Sequence, residues 1–372
     1  MRVSPRDAFQ EFVDLLRGGR RRLIRAKLAE IDRSVAEENW EQAAALASEA
    51  ADAAQRAGHF GLVSRAGRAL EQLGEFKAAA PIRFAAERKS YNSNLPLWNG
   101  EETNSCLLID QVFAHIGQQL RLARLIAAAA GRARKCIVLA EPRLVPLIRR
   151  TFPTVEVVAQ ADRHSAARRA DLVTNAWDLA MHFANSATAI AAGFLPLKPD
   201  PALLGHFRAA YAARARARGP LIGCSWHTSN KSRSVPTLSD WKALLASLPA
   251  TFVSLQYGEV LSDIEFMERS GIQVINDVSV DQLVDMDRFA AQICSLDLVV
   301  TIDNTIAHAA AALGKPTIVL TDDGASHWPL RDDHTPWYPS AMIVRRRGRV
   351  WREAVEEARL RFDTALVGLP QG

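Results

Sequence analysis

The stretch from Ser295 to Leu320, SLDLVVTIDNTIAHAAAALGKPTIVL, constrains the fold more than any other part of the chain. It reads as strand, polar turn, helix, glycine stop and strand. Leu298, Val299, Val300 and Ile302 form a short β-branched run suited to a strand buried on both faces. Asp303, Asn304 and Thr305 are three successive candidate N-caps. The Ala-rich run from Ile306 to Leu313 favours helix, Gly314 stops it, and Pro316–Leu320 is a second buried strand. A helix N-terminus just past the carboxyl end of a parallel strand faces anions with free N–H groups and the positive end of its dipole. His308 follows one turn later on a helix otherwise made of Ala, Ile and Leu, and that sets this crossover apart from an ordinary βαβ connection.

The same alternation runs through most of the chain. Strands are expected at Cys106–Ile109, Lys135–Leu139, Val155–Val158 and Asp171–Val173, with helices at Gln118–Gly131, Leu144–Thr151, Asp178–Ala191 and His206–Arg218. A Gly219-Pro220 break restarts the pattern. Strands follow at Leu221–Ser225, Thr251–Gln256, Ile272–Ile275 and Ala341–Val344, and helices at Leu238–Leu248, Asp285–Cys294 and Trp351 to Leu366. Strands alternating with helices of this length imply parallel, doubly wound sheets. Two such units in tandem leave a cleft between the carboxyl ends of two sheets, where nucleotide-linked ligands bind.

Residues 1–90 carry no strand pattern. Apolar residues recur at helical spacing, as at Leu23, Ile24, Leu28 and Ile31, and Asn39-Trp40-Glu41-Gln42-Ala43-Ala44 is echoed by Glu75-Phe76-Lys77-Ala78-Ala79. That echo suggests paired helices stacked as in tetratricopeptide repeats. So short an array is expected to cap the next domain more than to form a peptide groove. A polar joint at 91–105 separates it from the α/β region. The expected domains are 1–94 (helical, repeat-like), 95–219 (first Rossmann-like domain) and 220–372 (second, with the final helix).

Composition narrows the chemistry. The 372 residues are 48% hydrophobic and 23% charged, with a net charge of +5. That mild, dispersed basicity suits phosphorylated small molecules and argues against nucleic acid as a partner. Cys106, Cys136, Cys224 and Cys294 lie far apart, without metal-ligand or redox spacing, which implies free thiols in a reducing compartment. No leader or membrane span is legible, so a cytoplasmic protein is expected.

Five loops gather the polar chemistry. Asp110–Gln118 follows the first strand and includes His115. Trp226–Pro236 follows the first strand of the second unit and offers Lys231 and Arg233 with hydroxyls, amides, an indole and an imidazole, but no carboxylate. Such a loop suits phosphate, Arg as a planar fork and Lys as a point charge. Gln256-Tyr257-Gly258, the Asp303–His308 turn, and the segment from Ser326-His327-Trp328 to Tyr338-Pro339 complete the set. Because a carboxylate repels a pyrophosphate at close range, Asp303 is expected to cap the helix or accept a ribose hydroxyl. The N–H groups of Asn304, Thr305 and Ile306 are left for the phosphates.

In this order and spacing, residues from about Leu95 to Pro339 resemble the bacterial tetratricopeptide-linked glycosyltransferases, relatives of O-GlcNAc transferase and the heptosyltransferases. The resemblance rests on Leu95-Pro96-Leu97-Trp98-Asn99-Gly100-Glu101, Ser225-Trp226 with Arg233-Ser234-Val235-Pro236, and Val253-Ser254-Leu255-Gln256. It continues through Leu296–Asp303, Ala307-His308, Ala312-Leu313-Gly314-Lys315-Pro316 and Pro336-Trp337-Tyr338-Pro339. It implies the GT-B fold, two Rossmann-like domains, here preceded by the helical segment, and a metal-independent transfer of sugar from a nucleotide sugar to a protein or glycan hydroxyl. No cofactor beyond the nucleotide-sugar co-substrate is implied. Trp226, Lys231, Arg233, Gln256, Asp303, Asn304, Thr305 and His308 would hold the donor, and the helical segment, where it does more than cap the next domain, would dock the acceptor. The family's first loop usually reads Gly-Leu-Gly-Asp, whereas His115-Ile116-Gly117-Gln118 stands here. His115 and Gln118 are therefore the catalytic positions, with His115 as base. The alternative is a catalytically impaired protein that binds a glycan or nucleotide sugar.

Overall fold

The computed structural model describes residues 5–88, 94–111, 114–216, 219–231, 233–322, 328–348 and 350–367. Their contacts divide into two compact units. The first comprises Met1–Asn94 with Ala180–Ala189 and Pro329–Arg331, and the second comprises Leu95–Leu179, Ile190–Trp328 and Asp332–Gly372.

The first unit is built on four helices, α1 (Pro5–Ala36), α2 (Trp40–Arg56), α3 (Phe60–Gln72) and α4 (Phe76–Arg88). Its core is made of small residues: Ala43, Ala47, Ala50, Ala51 and Ala54 of α2 are wholly buried, so the neighbouring helices approach closely. Ile24, Leu28 and Ile31 of α1 join them, whereas Leu23 faces outward. Gly67 is required where α3 meets α4, because a Cβ there would lie 2.9 Å from Ile82 Cγ2. One turn design is used three times. Glu38, Gly58 and Gly74 take positive φ angles of 54°, 70° and 86°. The next N–H then reaches back across the helix end, from Asn39 to Ser34 O, His59 to Ala54 O and Glu75 to Leu70 O. An aromatic residue, Trp40, Phe60 or Phe76, opens each following helix.

The second unit contains two parallel-stranded sheets, β1–β4 and β5–β11. In chain order its elements are β1 (Thr103–Asp110), α5 (Ile116–Leu122), α6 (Leu125–Ala130), β2 (Ala133–Ala140), α7 (Val145–Thr151), β3 (Glu156–Ala159), α8 (Arg163–Ala167) and β4 (Leu172–Asn175). Helices α9 (Ala176–Phe183), α10 (Ala187–Ala192) and α11 (Pro201–Arg214) lead to β5 (Leu221–Ser225). Then come α12 (Leu238–Ala246), β6 (Thr251–Ser254), α13 (Leu261–Glu268), β7 (Val274–Ile275), α14 (Met286–Cys294), β8 (Leu298–Ile302) and α15 (Thr305–Ala312). The chain closes with β9 (Thr317–Thr321), β10 (His334–Thr335), β11 (Tyr338–Arg345) and α16 (Arg352–Val367).

The smaller sheet is ordered β3-β2-β1-β4 and the larger β10-β11-β9-β8-β5-β6-β7. With the antiparallel edge strand β10 set aside, the larger sheet has the 3-2-1-4-5-6 order of dinucleotide-binding folds. Its direction of winding reverses between β5 and β8. The side chains of β5, β8 and β9 are buried along their whole length, as the unbroken apolar runs require. Gly223 in β5 has no room for a side chain, since a Cβ would lie 2.6 Å from Leu255 Cδ1 and 2.7 Å from Leu296 Cδ1.

Several expected elements differ. The single helix expected over Gln118–Gly131 is two, α5 and α6, because the tighter Ile126 N–H to Ala123 O bond interrupts the ladder. The helix expected from Asp178 to Ala191 is likewise broken between Phe183 and Ala187. Helix α11 begins at Pro201 rather than His206, because the Asp200 carboxylate accepts from the N–H groups of Ala202 and Leu203.

Glu38 is the only described residue other than glycine at positive φ. Glu38→Gly is expected to raise the unfolding free energy by about 0.5–1 kcal/mol, whereas Gly58→Ala lowers it by about 1 kcal/mol. Urea denaturation of both variants checks this.

Candidate functional site

The carboxyl ends of β5, β6 and β8 are joined by one chain of buried and partly buried side-chain hydrogen bonds. Asn304 Oδ1 caps α15, accepting from Ile306 N–H at 2.9 Å and Ala307 N–H at 3.2 Å. Its Nδ2 donates to Ser225 Oγ at 2.9 Å, and Ser225 Oγ donates to Gln256 Oε1 at 2.9 Å. Gln256 Oε1 also accepts from the N–H groups of Trp226 and His227, both at 2.9 Å. Gln256 thereby holds the start of the Trp226–Pro236 loop across the sheet.

Asn304, not Asp303, is the N-cap. Its bond to Ile306 also occupies one of the three N–H groups expected to face a phosphate. The Asp303 carboxylate is paired with Arg233 instead, Arg233 NH1 lying 2.7 Å from Oδ2 and also donating to the Asp303 carbonyl. Asp303 is nearly buried, so the pair is shielded from solvent and holds loop 233–236 against α15. Ser234 N–H adds a bond to Asp322 Oδ2 at 3.1 Å. Thr305 is half-buried beside this pair and Lys231 is exposed.

Two expected ligand residues prove to be core. Trp226 is buried, and its indole N–H donates to Asp263 at 2.7 Å, so it anchors the loop. His308 is buried and stacks on Trp328 with centroids 5.1 Å apart at 10°. Its Nδ1 lies 3.1 Å from Tyr338 Oη. Burial, with the charges of Arg121 and then Arg233, pushes its pKa down to about 3, so near neutrality it is an uncharged ring. Burial raises the Tyr338 phenol well above its ordinary value.

The first loop meets this cluster at Gly117, where a Cβ would lie 3.0 Å from His308 Cδ2. His115 is exposed at the start of α5. Gln118 Oε1 accepts from the His115 N–H at 3.3 Å, so Gln118 serves as a cap for that turn. Gln119, which no motif or spacing singles out, braces the loop from beneath. It donates to Ala114 O at 2.8 Å and Gln111 O at 3.3 Å, and accepts from Glu141 N–H at 3.0 Å. Arg121 and Arg124 were also missed. Arg121 stacks over Trp337 at 4.7 Å, and Arg124 donates to Trp337 O at 2.6 Å, to Pro336 O and to Gly193 O. Burial lowers Arg124 to about 10. The available signal was two arginines inside the otherwise apolar run LRLARLIAAAA. Ser326 and His327 of the fifth loop, and Val112 and Phe113 of the first, lie outside the described residues. Among the described residues no three His, Cys, Asp or Glu side chains are grouped to hold a metal ion, and no helix is long and apolar enough to cross a membrane.

No protein-family model matches the chain. Protein FlbA of Caulobacter vibrioides is 30% identical over 282 residues, which cover 68% of this chain and 46% of FlbA. The chain therefore spans less than half the length of that relative. A glycosyl transferase family 9 structure from Veillonella parvula superposes with a TM-score of 0.51 at 11% identity, covering 66% of this chain and 87% of that one. ADP-heptose lipopolysaccharide heptosyltransferase II of Escherichia coli gives a TM-score of 0.48 at 14% identity, covering 71% and 99%. The likeness to the family 9 structure is one of fold: the second unit is a GT-B-like pair of parallel α/β sheets.

The low pKa of His308 ties stability to pH. The unfolded imidazole, near 6.5, takes up a proton that the folded one refuses until about pH 3. Stability contributed at neutral pH is thus lost as pH falls from about 6.5 towards 3, by at most ~1.4 kcal/mol per pH unit. His308→Phe, which keeps the stack, should show a shallower fall of urea midpoint with acid than the parent chain. Asn304→Ala, measured the same way at pH 7, should cost about 1–2 kcal/mol for the lost cap.

Proposed function

We propose that the chain is a glycosyltransferase that passes a sugar from a nucleotide sugar to a hydroxyl of a protein or glycan. The observation that carries this reading is the 3-2-1-4-5-6 order of the larger sheet, with a capped helix N-terminus and the Arg233 loop meeting at its point of reversal. The FlbA likeness and the family 9 fold are compatible with it. The diphosphate lies against the start of α15, where Thr305 and the end of the helix dipole face it. Lys231 and the outer edge of Arg233 supply positive charge as the nucleotide departs, without a resident metal. Asp303 orients Arg233. The acceptor oxygen attacks the anomeric carbon, the carbon–oxygen bond to the diphosphate breaks, and the hydroxyl proton passes to His115, the exposed imidazole at the head of α5.

The helical unit, which we read as tetratricopeptide-like, serves the acceptor side. A cytoplasmic setting suits four thiols that are unpaired.

A second reading, binding without transfer, is favoured by Gln118, whose carboxamide is engaged in capping where the family's first loop has an aspartate. One set of measurements separates the two. Thermal unfolding with UDP-, ADP-, GDP- and CMP-linked sugars should show stabilisation by one of them, about 2.7 kcal/mol at a hundred times its Kd. Turnover of that donor should fall roughly 100- to 10,000-fold in His115→Ala. Arg233→Ala should weaken donor binding by more than tenfold. Stabilisation without hydrolysis or transfer selects the binding protein. No response to any donor removes both readings and leaves a scaffold.

A further inference from the structure

We propose that His227 and Tyr257 form the nucleobase subsite of this donor cleft, His227 donating from Nε2 to an in-plane acceptor on the base and Tyr257 offering an aromatic face. The proposal rests on the nucleotide-sugar reading and adds which part of the donor these residues recognise. Its ground begins with Gln256. An amide oxygen that accepts from Ser225 Oγ and from the N–H groups of Trp226 and His227 is fixed as oxygen. The other end of the amide must then be the donor. That nitrogen lies 3.2 Å from Tyr257 O and 3.4 Å from His227 Nδ1. In the tautomer that lets Nδ1 accept from this amide, the imidazole N–H is on Nε2. His227 is half-buried, and no described residue accepts from that Nε2, which is not among the buried unpartnered atoms. In that tautomer it is a donor open to a ligand.

Tyr257 stands edge-on to His227, the ring centroids 5.7 Å apart at 65°. Its hydroxyl accepts from Ser229 N–H at 2.8 Å and meets Ser229 Oγ at 3.3 Å, which ties the loop after β5 to the loop after β6. Gly258, at φ +84°, turns the chain at once and is exposed, and Tyr257 itself is half-buried. Two braced rings and one outward N–H suit a flat heterocycle with a carbonyl or ring nitrogen in its plane.

The position along the sheet agrees. The start of α15 lies at the end of β8, whereas His227 and Tyr257 lie at the ends of β5 and β6, on the far side of the reversal point. From β8 to β6 is two inter-strand steps, about 10 Å, the distance a nucleotide covers from its diphosphate through ribose to base.

The test measures equilibrium binding of UDP, ADP, GDP, CDP and inorganic pyrophosphate to the full chain by calorimetry, with folding checked by thermal unfolding. For the nucleotide bound best, His227→Ala should weaken binding about 3- to 10-fold, and Tyr257→Leu roughly 5- to 100-fold. Pyrophosphate affinity should stay unchanged in both. His227→Gln, which restores an N–H donor near the same place, should recover binding to within about twofold of the parent chain. If His227→Ala and Tyr257→Leu bind that nucleotide as the parent does while Arg233→Ala does not, the subsite is wrong and the donor reading stands. If the parent chain binds none of the nucleotides, both are overturned.

Discussion

The hydrogen bond between Asn304 Nδ2 and Ser225 Oγ is the interaction on which the rest of the larger sheet's polar edge depends. It crosses the point where the winding reverses, and the bonds on either side build from it. Towards α15, Asn304 Oδ1 stops the helix from fraying by taking two N–H groups. Towards β6, Ser225 Oγ donates a hydrogen bond to Gln256, whose oxygen sets the path of the following loop. With the donors and acceptors of Asn304 and Ser225 satisfied inside the protein, the edge is rigid before any ligand arrives. On the donor-binding reading proposed above, a ligand would meet a short set: Thr305, Lys231, the outer edge of Arg233 and the two rings beside Gln256. A preformed site of this kind spends little of its binding energy on ordering itself.

The parallel, doubly wound architecture was legible because each strand is a compact apolar run with turn residues at its ends. The crossover from β8 to β9 was placed almost to the residue. What was not legible depended on partners distant in sequence. Nothing near Ala123 announces a break, since both Ala123 and Arg124 keep helical angles and only the hydrogen-bond pattern changes there. Strand β10 and the first two residues of β11 fall in the segment expected as an aromatic loop, because Trp337 and Tyr338 are as suited to a binding loop as to a strand; the rest of β11 contains the strand expected at Ala341–Val344.

The candidate site shows the same division. That Gln256, Asp303 and Asn304 lie at strand ends, and Arg233 in the loop after β5, follows from spacing alone. Whether each faces a ligand or a neighbour does not. Trp226 and His308 are polar-edged aromatics, and such residues bury their rings wherever the N–H or ring nitrogen finds a partner. Asp263 and Tyr338, far away in the chain, supply those partners. An isolated His on an apolar helix therefore marked a packing site, while His227, in a loop crowded with polar residues, kept an open nitrogen.

Arg124 and Arg143 of the smaller-sheet half reach the larger-sheet half through main-chain oxygen, whereas Arg150 grips the Asp287 carboxylate and Arg121 stacks on Trp337. Arg124 ends on the carbonyls of Pro336 and Trp337, and Arg143 on those of Gln282 and Leu283. A junction that reads carbonyls is blind to the side chains beside them. Leu283 projects into solvent there, 60% exposed, and no part of the junction depends on its being leucine. The position of Leu283 is thus free to vary in sequence while the Arg143 contact is kept, and the side-chain demands of the junction fall instead on Asp287 and Trp337.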